Sequence, residues 1–177
     1  MKKGVQRMNA VDTFKSNLNN WFVKNGFDNL PINFTEDFGY AIFEDGQVCI
    51  NIGVQAYPEV GRYFEQFLYE YGLEYCGIYD PVLCLLHELG HHMTYRYFND
   101  NEQVLYRLAK EFDHGEDQFT WLYRYWSIPD EFAANMWAIN FVNNHIDAVE
   151  ELCEIYTIDW TAMCEEVDMW SLIQEAV

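Results

Sequence analysis

Apolar residues at Val11, Phe14, Leu18, Trp21 and Phe22 recur at three- and four-residue spacings, which put them on one face of a helix over residues 11–24. Asn25-Gly26 supplies its stop. After Pro31 the period falls to two: Tyr40 and Ile42 alternate with Ala41 and Phe43, and Val48, Ile50 and Ile52 follow beyond Glu44-Asp45-Gly46-Gln47. Alternating runs joined across Asp-Gly predict a β-hairpin. From Pro58 onward helical spacing prevails. One helix is expected over 59–71, ending at Gly72, and a second over 80–98, opened by Asp80 as a cap and Pro81 in its first turn. Further helices are expected at 101–112, 116–126, 128–143 and 159–175, with Gly and Asn at the joints and no internal repeat. The sum is a single α+β domain, mostly helical. Its hairpin near 39–52, with one or two neighbouring strands, should form a small antiparallel sheet against the helix at 80–98.

That helix is apolar on two sides. Val82, Leu86, Leu89, Met93 and Tyr97 make one stripe, while Cys84, His87, His91 and Tyr95 lie opposite. Such a helix belongs in the middle of a domain, so its histidine side does not face bulk water. Gly90 costs a helix about 1 kcal/mol, which a close approach by another element would justify.

On this helix stands His87-Glu88-Leu89-Gly90-His91. Two imidazoles one turn apart offer neutral nitrogens to a zinc ion, and the intervening carboxylate reaches a metal-bound water. The plain alternative is a helix with two hydrogen-bonded histidines and a solvated Glu. Catalytic zinc takes a third protein ligand from elsewhere. His92 points too far round the helix, His114 falls in an acidic loop, and His145 suits a helix end. Glu131 has the best context. Ser127 should cap its helix, with Pro129 in the first turn and Asp130 three residues after the cap. Glu131 then shares a face with Ala134, Asn135, Ala138 and Val142, a carboxylate on a small apolar surface that allows close helix packing. Its alternative role is a solvated first-turn Glu. Asn135 is placed to hydrogen-bond a ligating side chain. Tyr95, Tyr123 and Tyr125 are candidate donors to a transition state, against the more ordinary role of tyrosines in a core or at its rim.

LLHELGHHM followed by EFAAN, with YAIFEDGQVCINI upstream, resembles the ImmA/IrrE family of small zinc metallopeptidases, a branch of the gluzincins, over residues 39–142. The resemblance implies that His87, His91 and Glu131 bind zinc and that Glu88 is the catalytic base. It also implies a protein substrate, in that family a DNA-bound repressor or other regulatory protein frequently encoded beside the peptidase in a mobile element. Pro81-Val82-Leu83-Cys84-Leu85-Leu86 departs from the basic and Thr/Ala residues common before the family's motif, and the link from His91 to Glu131 is long and aromatic.

The formal net charge of -19, with no Lys/Arg stripe to offset it, argues against direct binding to nucleic acid and favours basic protein or peptide partners. It also admits a rival: an acidic protein-binding module, of DNA-mimic or anti-repressor type, or an inactive homologue with zinc in a structural role. The 13 Tyr, 13 Phe and 6 Trp argue against disorder. Polar residues interrupt the only basic start resembling a signal peptide, and no apolar run is long enough for a membrane span, so a cytoplasmic protein is expected. Cys49, Cys76, Cys84, Cys153 and Cys164 contain no C-x-x-C pair and are expected to be buried reduced thiols.

Overall fold

Residues 9–35, 41–44, 47–51, 58–94 and 117–162 are described by the structure, a computed structural model. Helix α1 spans Ala10–Lys24; the Asn9 side chain accepts from Asp12 N, and Gly26 leaves the helix with φ +84°. Its expected stripe is the face that buries: Phe14, Leu18, Trp21 and Phe22 are all at most 1% exposed.

Three strands follow, β1 (Ile32–Thr35), β2 (Ala41–Glu44) and β3 (Gln47–Asn51), in the order β1-β3-β2. β2 and β3 pair antiparallel with Glu44 opposite Gln47, as the Asp-Gly turn predicts, although Asp45 and Gly46 themselves lie outside the described residues. β1 pairs parallel with β3, Ile32 opposite Val48, so the sheet is mixed and the expectation of an antiparallel sheet is corrected. The physical reason is that period two reports which face is buried and is blind to strand direction. Parallel strands need a return path between them. Here β2 lies in the stretch that makes that return.

Helix α2 spans Pro58–Glu70 and stops at Gly72, φ +110°. Helix α3 spans Asp80–Thr94 among the described residues; the part expected beyond it, with Tyr95 and Tyr97, lies outside them, as do the helix at 101–112 and His114. Helix α4 (Gln118–Trp126) is capped by Asp117, whose carboxylate binds Thr120 N and Oγ1. Helix α5 spans Pro129–Asn144, and α6 spans Ile146–Ile155, ending in a π-helical turn, Tyr156–Trp160.

Two local expectations need correction here. Ile128, not Ser127, caps α5; the Ser127 hydroxyl donates back to Tyr123 O and closes α4 instead. The spacing gives no sign of helix α6, because His145 reads as a terminus and only Val149 and Leu152 of the short helix are fully buried. The helix at 159–175 is described only to residue 162, where the π turn runs into it.

Helix α3 lies in the middle, touching α2, α5, α6, β2 and β3. Val82, Leu83, Leu85, Leu86 and Leu89 are all wholly buried, which realises the doubly apolar helix; Met93, assigned to its stripe, is 43% exposed. Trp21 ties α1 to α6 through its indole N–H to Ala148 O at 2.8 Å, and Tyr156 packs edge-on against Phe14. Cys49 is buried, Cys84 and Cys153 are half-buried, and Cys76 is exposed, so the burial expected of the cysteines fails at Cys76; these four are free thiols, and Cys164 lies outside the described residues. No helix among the described residues is long and apolar enough to cross a membrane.

Candidate metal centre

Helix α3 packs closely on α5, and Gly90 sets the approach: a Cβ there would meet the Ala134 backbone. With Ala134, Ala138 and Val142 buried in the contact, Glu131 and Asn135 are carried up against the histidine side of α3. The result is a convergence of three atoms. His87 Nε2 and His91 Nε2 are 3.1 Å apart, and Glu131 Oε2 lies 3.0 Å from the first and 3.3 Å from the second. All three side chains are mostly buried, at 10 to 14% exposed.

Glu88 is near the same point. His87, Glu88 and His91 each bring one ligand atom within 4.8 Å of the others, a group that could hold a metal ion. Glu131 is nevertheless in much tighter contact with the imidazole nitrogens than that limit requires. Among the described residues, no hydrogen-bond donor is aligned with Glu131 Oε2, although the atom is sealed from solvent. A buried carboxylate oxygen facing two ring nitrogens calls for a cation or a proton between them.

Charge and burial compete at these groups. Burial favours neutral His87, but the Glu131 carboxylate against Nε2, the Glu88 charge and the Asn135 carbonyl outweigh it and raise the imidazole to about 9. Burial likewise pushes Glu131 up, and the two histidines overcome it, holding the carboxyl well below its usual range. The Cys84 thiol, one turn before Glu88, is pushed far up by burial and by the charges of Glu88 and Asp80, which makes it a poor ligand.

A layer of α4 and α5 groups surrounds the donors. His87 Nδ1 donates to Asn135 Oδ1 at 2.7 Å, and Asn135 Nδ2 donates to Trp126 O at 3.2 Å. The Tyr125 hydroxyl is kept protonated by burial and the Glu131 charge, and it hydrogen-bonds the Glu131 carboxylate. Phe64 of α2 meets the His87 ring edge-on at 5.5 Å. Nothing in the sequence marks Phe64 for this place beyond its position among the apolar residues of α2. Tyr123, weighed as a donor beside Tyr125, bonds Glu70 at 3.2 Å. His92 is half-buried and outside the cluster, and His145 is exposed at the end of α5.

No protein-family model, curated protein or solved structure matches the chain.

Proposed function

We propose that this protein is a zinc-dependent peptidase in which His87, His91 and Glu131 hold the metal and Glu88 is the general base. The observation that carries the reading is the mutual spacing of the three donor atoms, 3.0 to 3.3 Å. Ligands sharing a tetrahedral ion at about 2.0–2.1 Å stand about 3.3 Å from one another. Two imidazoles and a carboxylate form a donor set suited to zinc, and three protein ligands leave a position for water or substrate. The sequence resemblance to the ImmA/IrrE peptidases points the same way.

Zinc bound by these residues supplies a Lewis acid that polarises a peptide carbonyl and acidifies a water. The protein supplies the rest. A Glu88 carboxylate oxygen takes the proton of the attacking water as the C–O bond forms, then delivers it to the leaving nitrogen as the C–N bond breaks. Tyr125 holds the Glu131 carboxylate through its hydroxyl. The net charge of -19 favours basic segments of a protein substrate.

Metal analysis of the purified chain together with Glu88→Gln tests this reading. One zinc per chain is expected in both proteins, with peptide hydrolysis lost only in the variant. A folded wild type that takes up no zinc would refute it.

A further inference from the structure

We infer that α2 and α4 together present a seat for an arginine side chain of a protein partner. Tyr63, Phe119 and Tyr123 form a continuous strip of rings across the two helices, with centroids 4.7 Å apart at each step. Tyr63 and Phe119 are each 36% exposed, and half-buried Tyr123 stands edge-on against the wholly buried Phe67 at 5.3 Å. The strip ends on a charge. The Tyr123 hydroxyl donates to Glu70 Oε1 at 3.2 Å, and Gln66 Nε2 donates to the same oxygen at 3.2 Å. Glu70 is exposed, and among the described residues it has no ion pair and no donor to its second oxygen.

Ring faces attract a cation, and a carboxylate already held by two donors has little freedom left to lose when one arrives. A planar guanidinium can use both at once, stacking on a ring while its N–H fork meets the carboxylate; an ammonium is a more strongly hydrated point charge that matches neither shape. An acid alone would take either cation, and rings alone would take any apolar side chain. Their junction at Tyr123 selects arginine. The net charge of -19 draws basic segments to the surface without choosing among them. Ring contacts also lead from the strip to the candidate metal centre: Trp126 meets Tyr123 at 6.1 Å and Phe64 at 5.0 Å, and Phe64 meets His87 at 5.5 Å. A segment anchored here is three ring contacts from His87.

Only the assignment of that arginine to a substrate rests on the peptidase reading; the seat itself needs no metal. The metal-free whole chain is titrated with N-acetyl-arginine methylamide and, in parallel, with the lysine counterpart of equal charge, while 1H–13C spectra of the aromatic rings are recorded. The Tyr63, Phe119 and Tyr123 signals should move with the arginine probe, and its affinity should exceed that of the lysine probe. Glu70→Gln and Tyr63→Leu, both at exposed positions, should each weaken arginine binding about 2- to 5-fold. Leucine keeps apolar bulk and removes the ring face, so its loss separates cation recognition from simple hydrophobic contact. Equal affinity for the two probes, movement only of rings outside the strip, or unchanged binding in either variant would overturn the inference. A chain that takes up no zinc would sink the peptidase reading alone, because the titration decides the arginine seat without metal.

Discussion

Gly90 and Ala134 meet backbone to backbone: a Cβ on Gly90 would lie 2.4 Å from the Ala134 carbonyl oxygen and 2.8 Å from its Cα. Neither atom belongs to a side chain that can swing away. The two helices would have to separate.

Gly90→Ala is therefore expected to destabilise the protein by about 1–3 kcal/mol through overpacking, although alanine is the better helix former by about 1 kcal/mol. Urea unfolding checks the sign. The same variant should bind zinc less tightly, since His87 and His91 sit on one helix and Glu131 on the other. A more stable Ala variant would contradict the packing account.

Glu131→Gln keeps the shape of the side chain and removes its charge. Zinc content should drop well below one per chain, and His87 should lose the contact that most raises its basicity. Metal analysis and the imidazole titration of the metal-free variant read these two effects separately. Full zinc content would remove Glu131 from the ligand set.

Metal-free protein should have a distinctive pH profile. His87 is raised to about 9 from an ordinary 6.5, so its contribution to stability is complete below about pH 6.5 and is lost as pH rises through about 9. Glu131 is shifted the other way, so its contribution is complete above the ordinary carboxylate range and is lost on acidification. Stability from this pair is then greatest between about pH 4.5 and 6.5. Zinc must displace the His87 proton, so its affinity should climb with pH up to about 9, with proton release on binding. Calorimetry in buffers of different ionisation enthalpy measures that release; uptake of metal without it would contradict the raised imidazole.

Trp21→Ala should cost about 3–5 kcal/mol in urea unfolding, in the range for removal of a large buried aromatic. Trp21 is 1% exposed, stacks on Phe27 at 5.9 Å and donates to Ala148 O. Trp21→Phe keeps much of the packing and leaves Ala148 O without its indole donor, so a smaller loss is expected. Equal losses in the two variants would assign the effect to the hydrogen bond alone.

The parts of this molecule legible in its sequence are those fixed by spacing along one element. The His87 and His91 pair is a one-turn repeat, and the small face of Ala134, Asn135 and Ala138 declared that α5 would approach another helix closely. Gly90 was readable for the same reason. Glu131 carries a weaker signal, the cost of burying a carboxylate, and the structure brings that residue against both imidazoles. Direction and partner choice were not legible. Nothing in Ile32 to Thr35 says that it runs parallel to β3, and Ser127 offers a hydroxyl that suits either the start of α5 or the end of α4. The orientation of Asn135 depends on a backbone carbonyl, a group every residue carries and no sequence pattern marks.

The donors His91 and Glu131 converge although residues 92–130 separate them in the sequence. Any ion that engages all three closes that stretch into a loop, in the manner of a reversible staple. Such an ion binds only the folded chain, where the three donors converge, so the protein's resistance to unfolding becomes a function of free metal concentration. A chain built this way would meet metal starvation first as a loss of its own persistence.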